Sequence, residues 1–524
     1  IIVLAIIGYA VYVRIMNARY EASKQDYIEV AAADAEEITG RKDIYTAYLE
    51  KYKDAGKPEY EIKVDIKNYS LADKAEAYDE YLGKKDVVVC REEGFVEWEV
   101  DIPQAGLYNI YLEYYPLEGR GIDIERALYI NGEIPFSGAD TLVFSRIWTD
   151  AGEVKKDNRG NEIRPTQKEV PRWESTYLKD YMGYHIEPFS FFFNEGKNTL
   201  RLEALSEPAA ISNLVIGQKK ELVPYNEYIA SFDPDKYSYS DPDFCYKKQG
   251  EDAEYRSSPT LYAIFDRASS NTEPYSASKI KLNCIGGEQW RLAGQWIEWE
   301  IEVPEDGFYN ISFKARQNYN RGRISIRSVL IDGHIPFKEA AQLEFRYNTG
   351  WKLTTLADEN GVPYKVPLTK GKHTIRLEVT LGSLGDILTQ LDQSIYRLNS
   401  MYRKILVLTG AKPDQYRDYR IHVRYPEVMV AMEEEIKVLE DIVAKLEEFT
   451  GQRGADTAVA VNISKRLQRY IKNPDAIPRG MEGFKLDISS LGTAMLNLSN
   501  SQLDIDYIYI TTDGAKLPDA EETF

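Results

Sequence analysis

The densest run of side chains able to do chemistry is "PRWESTYLKDYMGYH" (171–185), which sets Trp173, Tyr177, Tyr181 and Tyr184 beside Arg172 and His185, with Trp148 upstream. Flat rings stack on the apolar face of a pyranose while neighbouring polar groups bond its hydroxyls, so this run is a candidate for saccharide contact. The alternative is a loop that packs on its own domain. Trp290, Arg321, Arg323 and Trp351 form a second, sparser candidate set.

Other chemistry lacks a motif. The histidines His185, His334, His373 and His422 are scattered, and no metal-protease, nucleophile-elbow or phosphate-loop spacing occurs, so the chain reads as non-catalytic. Carboxylates are plentiful, but a glycosidase pair must face each other, which a sequence does not show. Cys90, Cys245 and Cys284 form neither a CxxC pair nor an even set, which excludes a cysteine metal cage or a disulfide framework. A net charge of −19 over 524 residues, with no basic stripe, excludes a surface that tracks phosphates, so no nucleic-acid partner is expected.

The elements that must position the candidates show themselves through a repeat. "VEWEVDIPQAGLYNI" (96–110) returns as "IEWEIEVPEDGFYNI" (297–311), placing Trp98 on Trp299 and Tyr108 on Tyr309 at a constant spacing of 201 residues. The match runs without gaps to "INGEIPF" and "IDGHIPF", with 16 identities over the 43 positions that start at Gly94 and Gln295, the mark of an internal duplication. A second landmark, "EGKNTLRLE" (195–203) against "KGKHTIRLE" (370–378), is spaced by 175, so the first copy carries about 26 extra residues. Within each copy apolar and acidic residues alternate, the period of a strand with one buried face. Trp98 and Trp299 fall on the inner face and belong to a core, whereas Glu97, Glu99, Glu298 and Glu300 read as its solvated side. Turn residues separate several short strands, the signature of a β-sandwich built twice.

The second copy is interrupted. Ile387, Leu391, Ile395, Leu398, Tyr402 and Ile405 recur at helical steps, as do Val428 to Phe449 before Gly451, Val459 to Ile471 before Pro474, and more weakly Ile488 to Leu498. These stripes predict a helical bundle placed before a returning strand, "LDIDYIYITTD" (503–513). At the other end, "DIYTAYLEKYKDAGKP" (43–58) reads as a short amphipathic helix capped by Asp43, a stalk. It follows "IIVLAIIGYAVYV" (1–13), which suits the tail of an uncleaved membrane anchor or signal segment. With no initial Met and an abrupt end, the sequence reads as a fragment of a longer chain.

The order of these phrases resembles the galactose-binding-like jelly roll of carbohydrate-binding modules, over Tyr60 to Gly217 and, interrupted, Tyr255 to Thr511. In such modules an early glutamate-rich position holds calcium. The nearest segment, "AEAYDEY" around Glu76, departs from that pattern, so Ca2+ and other cofactors are not assigned. The whole layout is similar to the N-terminal half of large extracellular solute-binding proteins of bacterial ABC sugar importers. That resemblance implies a carbohydrate partner, a membrane tether, importer permease subunits as partners, and a location outside the cell membrane. The expected architecture is mainly β with α: an apolar segment (1–20), helical stalk (21–58), first sandwich (59–218), linker (219–254), second sandwich (255–383 with 502–513), inserted bundle (384–501) and acidic tail (514–524).

Overall fold

The computed structural model describes residues 41, 43–319, 321–414, 416–451 and 453–517. The apolar segment 1–13, the stalk up to residue 40 and the end of the acidic tail lie outside the described residues. Among the described residues no helix is long and apolar enough to cross a membrane. The fold is mainly β, two sandwiches, with a helical bundle inserted in the second.

The spine of the first sandwich is the strand Lys84–Ile102. Its second half pairs with Gly196–Ser206, Trp98 opposite Leu200, and its first half with Ala209–Gly217, Val88 opposite Ile211. One strand therefore serves both layers. The change of partner is marked by Gly94 at φ +102°, where a Cβ would stand 2.3 Å from the Asp73 carbonyl oxygen, so only glycine fits. One layer continues from Gly196–Ser206 to Ile124–Ile130 and Leu142–Phe144; the other runs from Ala209–Gly217 to Gly106–Pro116 and the edge strand Glu174–Tyr177. Between them lie Val96, Trp98, Val100, Ile110, Leu112 and Tyr114. Trp98 is fully buried and its Nε1 donates to the Ile66 carbonyl at 2.9 Å, so the indole's one polar group is satisfied.

Matched residues take matched places in the second sandwich. Trp299 is fully buried and donates to the Gly250 carbonyl, also at 2.9 Å. Tyr108 and Tyr309 each donate to the carbonyl four residues back, Gln104 and Glu305. Trp296–Val303 pairs with Gly371–Thr380, and Leu503–Thr511 lies between Gly307–Arg316 on one side and Cys284–Gly287 with Cys245–Gln249 on the other. The strand that follows the helices is thus central to its sheet. Cys245–Gln249 falls in the stretch read as linker from the sequence, and it is instead part of this sheet.

Two further pairs extend the correspondence. Arg126 is buried and donates to the carbonyls of Glu125, Ser206 and Glu207; Arg327 is buried and donates to those of Ile326, Ser501 and Trp290. Each guanidinium thus clasps the chain just before the last strand, in the second copy where it returns from the helices. Burial without a carboxylate pulls Arg327 down to about 9. The helices Tyr45–Lys51 and Tyr225–Ala230 lay Tyr45 and Tyr48 on Phe136, and Tyr225 and Tyr228 on Phe337. The stretch expected to be a stalk therefore docks on the first sandwich core, and Ile44 rather than Asp43 occupies the helix N-cap.

The bundle comprises Leu384–Thr409, Pro426–Thr450, Ala455–Lys472 and Ile477–Leu498, with a short helix Ile421–Arg424. Leu384–Thr409 packs against Pro426–Thr450 and Ile477–Leu498, and Ala455–Lys472 packs against the same two. Ile387, Leu391, Leu398, Ile405, Val428, Met432, Leu439, Ile463 and Leu467 fill its interior. The last helix begins a full eleven residues before the stripe at Ile488, because Ile477, Met481 and Phe484 carry the buried face through Gly480 and Gly483, and Pro478 sits in its first turn, where no N–H is required.

Candidate functional site

In the strand Gly106–Pro116 the even positions Ile110, Leu112 and Tyr114 point into the core, so the pleat turns Tyr111, Glu113 and Tyr115 outward. Register then brings the neighbouring edge strand to the same face. Tyr177 lies opposite Tyr111 with ring centroids 5.2 Å apart, and Trp173 lies 5.5 Å from Tyr115. Between the two aromatic pairs Lys84 Nζ bonds Glu113 Oε2 at 2.6 Å and sits 5.9 Å from the Trp173 ring. Asn213, the cross-strand partner of Glu113, has an Oδ1 without a hydrogen-bond partner among the described residues. Trp173 Nε1 is tied to the Leu82 carbonyl at 2.9 Å, which sets the plane of its ring. Burial pushes the Tyr177 phenol up, so it stays a donor across the neutral range.

The corresponding positions of the second sandwich carry Ser312, Lys314 and Arg316, and that face is closed. The segment 265–283 crosses it: Lys314 reaches the Asn271 carbonyl and pairs with Asp506 at 2.8 Å, and Arg316 pairs with Asp266 at 2.7 Å and Asp504 at 2.9 Å. Trp351 is 1% exposed, donates to Thr272 Oγ1 at 2.7 Å and lies under Arg316. Trp290 is wholly buried beneath Arg327. Both tryptophans are therefore core residues and not the ligand contacts expected of them, because buried cations cover their ring faces. Arg321 and Arg323 stand on the loop leading into Ile324–Ile331, and Arg321 is exposed.

The extra segment of the first copy divides its residues between two tasks. Trp148–Asp150 and Gln167–Glu169 pair with each other and, through Arg256 opposite Trp148, extend a sheet of the second sandwich. Fully buried Arg256 donates to Asp150 and Gln167, while the Asn161 and Glu162 side chains accept the backbone N–H groups of Ile280 and Leu282. Arg172 bonds Glu174 at 2.6 Å and Glu298 at 3.0 Å, and lies over Tyr255. Burial opposes its charge, but the two carboxylates more than offset this and hold its pKa up. Arg172 and Trp148 are thus seam residues, a correction to their reading as sugar contacts. Tyr181, Tyr184 and His185 belong to a turn whose Asp180 carboxylate accepts the N–H groups of Met182, Tyr184 and His185, and His185 packs edge-on against Tyr45 at 4.8 Å.

Of the candidates read from the sequence, Trp173 and Tyr177 are the two brought together, and their companions Tyr111, Tyr115, Glu113 and Lys84 were missed. The signal was present: outward positions 111, 113 and 115 carry Tyr, Glu and Tyr where the second copy has Ser, Lys and Arg.

No match was found among curated proteins. Among solved structures the chain is similar to a family 35 carbohydrate-binding module from Clostridium thermocellum, at 15% identity over 30% of this chain and 99% of that one, with a TM-score of 0.20. It is likewise similar to the C-terminal family 6 module of a laminarinase from Zobellia galactanivorans, at 15% identity over 30% of this chain and 100% of that one, with a TM-score of 0.19. The helical insertion matches, over residues 386–501, the family described as the bacterial solute-binding protein, 4-helix bundle domain.

Proposed function

We propose that the chain binds a neutral oligo- or polysaccharide on the outward face of its first sandwich, as the non-catalytic, surface-held region of a bacterial solute-binding protein. The observation that carries this reading is the face itself: the ring pairs Tyr111–Tyr177 and Tyr115–Trp173 flank the Lys84–Glu113 ion pair. Positions 111 and 115 are four residues apart on one strand, about 13 Å, so the rings are spaced for two non-adjacent sugars of one chain and not for one monosaccharide. A net charge of −19 disfavours polyanionic glycans. The carboxylate of Glu113 is engaged by Lys84, which suits it to bonding hydroxyls and not to acid catalysis.

The bundle's family match supports a place in solute capture, with an ABC-importer permease as partner. The apolar run Ile1–Val13 supports a tether that holds the region outside the cell membrane. A glycan array probed with the chain tests the binding reading: signal on neutral β- or α-linked glucans, xylans or mannans is expected, and silence across all of them overturns it.

A further inference from the structure

We infer that Arg172, Glu298 and Arg376 are positioning residues for the saccharide face, so that the second sandwich, which contributes no ring to that face, sets its affinity. This inference rests on the reading of the face given above.

The edge strand Glu174–Tyr177 is the point of contact between the two. It is four residues long and its one ladder is with Gly106–Pro116, so backbone pairing holds it from one side alone. Its side chains alternate. Trp173 and Tyr177 face outward beside Tyr115 and Tyr111, and Glu174 turns to the opposite side, where four charges close a ring. Arg172 Nε bonds Glu174 Oε1 at 2.6 Å, Arg172 Nη2 bonds Glu298 Oε1 at 3.0 Å, Arg376 Nε bonds Glu298 Oε2 at 2.7 Å, and Arg376 Nη1 returns to Glu174 Oε2 at 3.3 Å. Glu298 and Arg376 belong to the paired strands Trp296–Val303 and Gly371–Thr380 of the second sandwich and are almost wholly buried. Arg376 is further fixed over Trp296 at 3.8 Å, so the ring is anchored to a rigid wall.

The charge ring therefore does for the outer side of this strand what a second ladder would do. Without it Trp173, still tied to the Leu82 carbonyl, and Tyr177, still against Tyr111, would stand on a less firmly fixed strand, and ordering that strand at the moment of binding is a cost charged against affinity. Bonds between planar guanidinium and carboxylate groups are directional, which is why the ring can fix the strand's rotation as well as its position.

The test is isothermal titration of the whole chain with cellohexaose, xylohexaose, mannohexaose and maltohexaose, alongside thermal melting. The wild type should bind at least one of them, and Trp173→Ala should abolish that binding. Arg172→Met should weaken Kd about fivefold to tenfold, with Glu298→Gln doing the same and Arg172→Lys recovering part of the loss. If the wild type binds none of the four, or Trp173→Ala binds as well as wild type, the reading of the face falls and takes this inference with it. If wild type binds, Trp173→Ala does not, and Arg172→Met and Glu298→Gln lower the melting temperature while leaving Kd unchanged, the face stands and the positioning role is overturned.

Discussion

Arg172 Nη2 lies 3.0 Å from Glu298 Oε1, and the two residues belong to different sandwiches. The adjacent residue, Trp173, stands over the outward face of the first sandwich. One dipeptide thus joins a clamp to a candidate binding surface, and the segment that distinguishes the first copy from the second is in large part a fastening between them.

Removing a half-buried ring from the first sandwich's outward face should cost binding more than stability. Tyr111→Ala is expected to weaken saccharide affinity by about tenfold or more, the scale of a buried aromatic anchor at an interface. Titration calorimetry gives the affinity, and an unchanged far-ultraviolet circular dichroism spectrum shows that the fold is intact.

Each chain should take up one saccharide chain and not two, because segment 265–283 fills the second sandwich's face. Trp351→Phe removes the indole's hydrogen bond to the Thr272 hydroxyl, which still donates to Asp266, and about 1 kcal/mol of stability should be lost with that one bond. Stoichiometry and affinity by calorimetry should stay at the wild-type values.

The matched tryptophans should fail alike. Trp98→Phe leaves the Ile66 carbonyl without its donor and Trp299→Phe does the same to Gly250, and both also leave space in a filled core. A loss of roughly 2–4 kcal/mol is expected in each, read as a lower urea midpoint.

Glu251 should make the fold weaker in base. Burial, with Asp252, Asp506 and Glu162 nearby, raises its pKa from 4.5 to about 9, and its Oε2 has no hydrogen-bond partner among the described residues. The folded state therefore holds this proton more tightly than the unfolded chain, so the stabilisation is complete below about pH 4.5 and is lost progressively as pH rises through 9. Asp506, raised to about 6 by burial, acts in the same direction at lower pH. Glu251→Gln should flatten the decline in melting temperature between pH 5 and 9, and a profile identical to wild type would count against the assignment.

Much of the framework was legible because it is periodic. Alternation around Trp98 and Trp299 marks inward residues, and the three- and four-residue steps through Leu391, Met432 and Ile463 mark helix faces that prove buried. The start of the last helix was hidden by Pro478, Gly480 and Gly483, which read locally as breakers although the first lies in the helix's opening turn. Trp290 and Trp351 were misread for another reason. They lie outside the alternating strands, and the arginines that cover them, Arg327 and Arg316, come from elsewhere in the chain.

The sequence by itself determined the repeated strands, the inward places of Trp98 and Trp299 and the helical insertion, since pleat and helix impose side-chain direction over a few residues; Glu298, expected on the solvated side, is instead buried in the seam between the sandwiches. Only the tertiary structure decided that the rings of the first outward face stay half-buried while the second face is shut. That difference depends on Arg316 meeting Asp266 and Asp504, and on Arg172 meeting Glu298. Contacts between residues so far apart follow from how the sheets stack and which loop crosses them, and no local period encodes either.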